Sequence, residues 1–213
     1  MGNFNFYRSR YDEYGDHRAM KNQDKTVLNR CPWAEGHPLL MAYHDEEWGI
    51  PLYDDRRLFE LLILESAQAG LSWLTVLKKR EAYREAFENF DVDKVAAFDQ
   101  EKIATLCNHP GIIRNRLKIA SAVKNARFFI DTAEKFGSFS TFLWNFVDGN
   151  PIKNHWRDER DVPATTPLSE KLSKELKRRG FTFVGSTICY SYMQAIGMIN
   201  DHLVDCFCYS REK

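Results

Sequence analysis

Glu65 poses the sharpest chemical question in this chain. On a helical wheel it lies about 20° from Leu58 and about 40° from Leu61, on the apolar side of its helix. Burying a lone carboxylate costs several kcal/mol, so Glu65 must be desolvated, hydrogen-bonded or aimed into a cavity. Gln68 stands one turn later, and Trp73 follows just past Gly70, where the helix stops. An acid, an amide and an indole converging near a helix end suit a planar ligand with exchangeable N–H groups. The competing reading is a structural acid that pairs with an arginine or caps a neighbouring helix.

A second group could hold a metal. His202 and Cys206 are spaced i, i+4, which on a last helix would put both on one face. Imidazole and thiolate are good zinc ligands, and zinc takes four. Cys31 and His44 are the natural complement, and Cys208 is a rival that would point elsewhere. A Cys2His2 set has no open position for a catalytic water and would pin the N-terminal segment to the C-terminal one. Inert packing of buried cysteines is the alternative.

A third group sits between two helical patterns. His109-Pro110-Gly111-Ile112-Ile113-Arg114 resembles the hydrophobic-Pro-Gly-hydrophobic turn of a helix-hairpin-helix element, with Ile113 where a second Gly is commoner. Pro110 ends one helix, Gly111 permits φ > 0, and the next helix begins at Arg114. Unpaired N–H groups at that helix start, aided by its dipole, make an anion site. Arg114, Arg116, Lys118, Lys124 and Arg127 follow with no acid among them, which suits nucleic-acid phosphate. An ordinary helical hairpin is the alternative.

The elements that must position these groups are helical. Asp54-Asp55 can cap a helix from Arg56 to Gly70, and Ser72 can cap the next, which carries Leu74, Leu77, Lys78, Lys79 and Arg80. Apolar periodicity continues over residues 92–98, 102–106, 114–129, 139–147, 169–179 and 186–204. Residues 153–167 form a polar loop holding Pro163 and Pro167, and residues 181–184 offer a short strand. The expected class is all-α, without internal repeats. Residues 1–30 lack periodicity and are expected to be a mobile extension, with 31–213 a single domain.

Composition agrees with a packed domain. The chain has 213 residues, 44% hydrophobic and 14% aromatic, enough for a real core. No apolar stretch approaches the roughly 20 residues that cross a bilayer, and no signal-peptide core is evident. Five cysteines, odd in number and widely spaced, suit a reducing cytoplasm. Thirty basic and thirty acidic residues cancel, but their distribution is uneven. A second basic run holds Lys171, Lys174, Lys177, Arg178 and Arg179, while Asp45, Glu46, Glu47, Asp54, Asp55, Glu60 and Glu65 crowd the first third. A basic face and an acidic back follow, with solvated helix faces as the plainer alternative.

Longer motifs bind these pieces together. Cys31-Pro32-Trp33, Ala42-Tyr43-His44-Asp45-Glu46-Glu47-Trp48-Gly49 and Leu64-Glu65-Ser66-Ala67-Gln68-Ala69-Gly70-Leu71-Ser72-Trp73 resemble the DNA-3-methyladenine glycosylase I family. So do Gly111-Ile112-Ile113-Arg114-Asn115-Arg116, Lys177-Arg178-Arg179-Gly180-Phe181, the stretch from Phe183 to Tyr190, and Asn200-Asp201-His202 to Cys206. The resemblance runs from Cys31 to Tyr209. It implies a helix-hairpin-helix glycosylase with two helical lobes around a base pocket. It further implies one structural zinc on Cys31, His44, His202 and Cys206, joining the chain ends. Glu65, Tyr43 and Trp73 would line the pocket, with Trp33 in its wall, and Glu65 would be the catalytic group. Pro110, Gly111, Ile112, Ile113, Arg114 and Arg116 would contact DNA. Leu40 and Ser66-Ala67 differ from some members, and there the pocket lining stays open.

The expected reaction is hydrolysis of the N-glycosidic bond of 3-methyladenine in alkylated double-stranded DNA, by a cytoplasmic monomer that works on the nucleoid. The methylated base is already cationic and leaves neutral, so strong protonation of the leaving group is unnecessary. Glu65 would accept from the exocyclic amine, Tyr43 would add a phenolic hydrogen bond, and Trp73 would stack on the flipped base. No lysine occupies a defensible position for a lyase step, so the enzyme is expected to be monofunctional and to release free 3-methyladenine. A non-catalytic DNA-binding module and a zinc-stapled interaction protein are the competing classes.

Overall fold

The computed structural model describes residues 28–210. The mobile extension expected over residues 1–30 lies almost wholly outside them. Its last residues are anchored: Asn29 donates to the Asp205 carbonyl, and the Arg30 guanidinium makes a forked contact with Asp45 at 2.7–3.0 Å.

Ten α-helices account for most of the described residues: α1 (Pro38–Glu46), α2 (Asp55–Gln68), α3 (Trp73–Leu77), α4 (Arg80–Ala86), α5 (Val92–Ala96), α6 (Gln100–Asn108), α7 (Arg116–Phe136), α8 (Phe139–Trp144), α9 (Pro167–Arg178) and α10 (Ser186–Ala195). The starts carry the expected chemistry. Asp54 accepts from Arg57 N–H, Ser72 from Thr75 N–H, and Thr166 forms a reciprocal capping box with Ser169. Asp55 reaches across to accept from the Phe139 and Ser140 N–H groups, so an acid of α2 caps α8.

Buried apolar side chains fall into two clusters among the described residues. The larger surrounds α2 and includes Leu58, Phe59, Phe87, Phe129, Phe139, Leu172 and Tyr192. The smaller joins the two ends of the described chain through Cys31, Tyr43, Trp48, Leu77, Cys206 and Cys208. Trp73 packs against both. α2 is buried almost all round over residues 58–67, so its apolar side is wider than a single stripe.

Several boundaries differ from expectation. The helix expected over 186–204 ends at Ala195, because Gly197 takes φ +67 and a Cβ there would lie 2.1 Å from the Ile50 backbone. The chain then forms β2 (Ile199–Asn200), parallel to β1 (Ile152–Lys153). His202 and Cys206 therefore share no helix. The segment 181–184 is not a strand: Phe183 has φ +56, and side chains satisfy the backbone instead. Ser66 donates to Phe183 O, Ser173 to Val184 O, and Asn125 both donates to and accepts from Thr182. The helix after the hairpin starts at Arg116, with Asn115 as its cap.

Candidate active site

A cavity of about 520 Å³ opens between the two clusters. Its walls include Trp33, Tyr43, Trp48, Trp73, Glu65 and Gln68, so the structure brings together every residue expected to line the base pocket. The size lies within the range of small-molecule sites. Tyr43 and Trp73 rings are 5.1 Å apart and tilted, and Trp33 meets Trp48 edge-on at 5.0 Å.

Two carboxylates of α2 are buried, and only one is neutralised. Glu60 accepts from Arg80 at 2.7 Å and from Arg84 at 2.9 Å. The structural-acid reading therefore describes Glu60. Glu65, 4% exposed, has no ion pair among the described residues, and its Oε2 has no hydrogen-bond partner among them. Loss of hydration, with no cation to offset it, pushes the Glu65 carboxyl up to about 8. Burial likewise raises the Tyr43 phenol, and the Glu65 charge adds to the rise. Trp73 Nε1–H is the second buried polar group of the cavity without a partner. Native structures seldom leave such groups unpaired, and here an acceptor and a donor wait in one aromatic-walled space.

The side chains expected to ligate a metal also converge. Cys31, His44, His202 and Cys206 are all buried, and their ligand atoms lie within 4.8 Å of one another. Cys31 Sγ–His202 Nδ1 is 3.8 Å, Cys206 Sγ–His202 Nδ1 3.6 Å and Cys206 Sγ–His44 Nε2 3.4 Å. Tetrahedral zinc with its usual bond lengths needs ligand–ligand edges of roughly 3.3–3.8 Å. The outer imidazole nitrogens are committed as well: His44 Nδ1 meets Asp45 Oδ1 at 2.8 Å and His202 Nε2 meets Trp48 O at 3.1 Å. That pairing turns Nε2 of His44 and Nδ1 of His202 inward as lone-pair donors. Cys206 is held far below the ordinary thiol range, by its contact with Cys208 first and then by Cys31. Backbone N–H groups of Leu203 and Cys208 point at Cys31 Sγ and Cys206 Sγ. Cys208 Sγ lies instead 3.9 Å from His44 O. The donor set fits one tetrahedral metal, and tight turns after β2, not helical spacing, assemble it.

The hairpin residues lie together between α6 and α7. Gly111 is not at positive φ; it is required because a Cβ would stand 2.6 Å from Ala82 Cβ. Lys79 Nζ donates to the Pro110 and Gly111 carbonyls, and Tyr83 OH accepts from Ile113 N–H. Ile112 is buried, whereas Arg114 and Arg116 are exposed. The basic run is not one face. Lys118 Nζ donates to Ala67 O and Ala69 O at 2.8 and 2.6 Å, capping the C-terminus of α2 beside the cavity. Arg127 donates to Ala96 O, and Arg178 and Arg179 pair with Glu175.

Sequence reasoning missed part of the lining: Trp48, Ser191, Gln194, Asp201 and the overhanging Glu159 and Arg160. Trp48 and Asp201 stand inside motifs that were recognisable. Glu159 and Arg160 lie in a polar loop with no local signal.

Comparison with known proteins agrees with this geometry. Residues 33–209 match the methyladenine glycosylase family. The DNA-3-methyladenine glycosylase 1 of Escherichia coli strain K12 is 48% identical over 186 residues, 87% of this chain and 100% of its own length. A crystal structure of a 3-methyladenine DNA glycosylase I superposes with a TM-score of 0.82 at 50% identity, covering 85% of this chain and 100% of that one. The 3-methyladenine DNA glycosylase I of Staphylococcus aureus, solved for its recognition of 3-methyladenine, gives 0.84 at 40% identity over 87% and 99% of the two chains. With the aromatic cavity, the unpaired Glu65 and the ends of the chain joined at a Cys2His2 cluster, these matches show that the chain belongs to the methyladenine glycosylase family.

Proposed function

We propose that this protein excises 3-methyladenine from alkylated duplex DNA by hydrolysing its N-glycosidic bond. One observation carries the reading: Glu65 and Trp73 line the same aromatic cavity, and Glu65 Oε2 and Trp73 Nε1 are buried with no hydrogen-bond partner among the described residues. A carboxyl pushed up to about 8 is neutral at pH 7 while the cavity is empty. A cationic base supplies the charge that burial removed, and draws the carboxyl back to its ionised form. A neutral base offers no such compensation, so the pocket favours N3-methylated adenine over ordinary adenine. Glu65 accepts from the exocyclic amine, Trp73 and Tyr43 hold the ring, and Trp33 and Trp48 close the wall. The target nucleotide must leave the helix to reach them.

Water oxygen then bonds to the sugar C1′ as the bond to the base breaks. The electron pair neutralises the base cation, and a water proton passes to solvent. The enzyme is a monofunctional monomer, and its product is the free base. Arg114 and Arg116 hold phosphate, with the hairpin from Pro110 to Ile113 setting their position. Cys31, His44, His202 and Cys206 hold one zinc, whose chemistry is structural: a closed four-ligand site that cross-links the chain ends. No helix among the described residues is long and apolar enough to cross a membrane. Thiol ligands suit a reducing cytoplasm, where nucleoid DNA is the substrate.

The test is incubation with methylated duplex DNA and chromatography of released bases. Release of 3-methyladenine, little 7-methylguanine and strands intact until alkali are expected. Absence of base release from folded, metal-loaded protein would end the reading.

A further inference from the structure

One wall of the cavity is supplied by no α-helix but by a segment holding a single 3-10 turn, Glu159–Asp161. The segment between β1 and α9 overhangs it, bringing Glu159, Arg160 and Val162 to the lining. Arg160 is highly exposed, and its guanidinium pairs with Asp158 in the same segment, so its own contacts do not tie the wall to the body. What ties it down is Asp201. This carboxylate is 2% exposed, and its hydrogen-bond partners among the described residues include no cation. Asn154 Nδ2 and Trp156 Nε1 donate to Oδ1 at 2.7 and 2.8 Å, while Tyr190 OH and Gln194 Nε2 donate to Oδ2 at 2.5 and 2.7 Å. Two donors on each oxygen occupy its acceptor capacity. Asp201 is thus committed to its neighbours and is unavailable to a bound base or a moving proton. Backbone bonds reinforce the junction: Asn154 N–H donates to Asn200 O, and Val204 N–H to Trp156 O.

We propose that Asp201 is the positioning residue of the base pocket. It clamps residues 154–156 to α10 and so sets where residues 159–162 stand over the cavity. Gln194 and Asp201 both line that cavity, so the clamp also fixes the wall beneath the overhang. The consequence for base binding rests on the function proposed above; the clamp itself does not.

Trp156→Phe, Asp201→Asn and Asp201→Ala separate these points. An indole nitrogen only donates, so Trp156 dictates that the amide introduced by Asp201→Asn present its oxygen to the loop. Tyr190 OH and a turned Gln194 amide can then accept from the new NH2. Asp201→Asn should therefore keep most of the clamp, whereas Trp156→Phe removes one of the two side-chain donors that the loop sends to Asp201, without disturbing α10. The ligand-free readout is trypsin cleavage after Arg157 and Arg160, expected to be about 10-fold faster in Trp156→Phe and Asp201→Ala than in wild type. The ligand readout is fluorescence titration with free 3-methyladenine, expected to weaken about 10-fold in the same two variants. Metal content and single-turnover excision at saturating protein should stay near wild type in Trp156→Phe, and Asp201→Asn should lie close to wild type in every measurement. Unchanged cleavage and unchanged affinity in Trp156→Phe would overturn the proposal, as would faster cleavage with unchanged affinity. If Asp201→Ala fails to fold, Trp156→Phe decides alone. Wild-type protein that binds no 3-methyladenine would overturn the functional reading, and trypsin cleavage would then decide the clamp.

Discussion

Replacing Glu65 by Gln tests the central electrostatic argument with little change of shape. The carboxylate loses its hydration, meets no cation and sits near 8 in the empty pocket. Ionising it at pH 7 therefore costs only about 1.4 kcal/mol, one unit of pKa, which a bound cation readily offsets. A hydrogen bond to a charged group contributes about 1.5–3 kcal/mol, and attraction to the positive ring adds to it. An amide keeps a weaker version of the first and almost none of the second. Single-turnover excision of 3-methyladenine should fall by roughly 10- to 1000-fold, the scale of about 1.4–4 kcal/mol. Stability should move the other way. The folded state holds a proton that the unfolded chain releases near pH ~4.3, so wild-type stability is full below that pH and declines as pH rises to about 8. The whole decline is on the order of 5 kcal/mol, and the Gln variant lacks it. Thermal melts at pH 5 and pH 8, beside excision assays resolved by base, measure both effects. Wild-type excision rates in the variant, or a variant less stable than wild type at pH 8, would refute the reasoning.

The other predictions concern the remaining groups. Cys206→Ala should lose its zinc and melt at lower temperature, whereas metal analysis of wild type should return about one zinc per chain. Arg114→Gln and Arg116→Gln should weaken binding to damaged and undamaged duplex alike and flatten the salt dependence; an effect confined to damaged DNA would show that these side chains read the lesion. Trp73→Ala should weaken binding of free 3-methyladenine by about 1–3 kcal/mol through lost stacking, as measured by titration, with metal content unchanged.

Local pattern carried a large part of this protein. Asp54, Ser72 and the apolar periodicity were enough to place α2 and the start of α3, because caps and 3.6-residue burial are properties of a few neighbouring residues. The helix expected to run through Arg80 instead ends at Leu77, and a new one opens at Arg80. The long motifs were enough for the family, and with it for the pocket and ligand residues that the structure gathers. What the sequence could not decide is which distant group meets each buried charge. Glu60 and Glu65 both face the interior of one helix, yet only Glu60 finds arginines, and Arg80 lies 20 positions away. Lys118 reads as a phosphate ligand until the end of α2 comes within its reach. The i, i+4 spacing of His202 and Cys206 suggested a helix, but Gly197 against Ile50 stops α10 and lets turns build the site. Asp201 shows the same limit: its four donors come from the β1–α9 segment and from α10, and only packing brings them onto one carboxylate. Burial follows from local composition; the partner that makes burial of a polar group tolerable, or leaves it waiting for a ligand, is set by contacts between segments far apart in the chain.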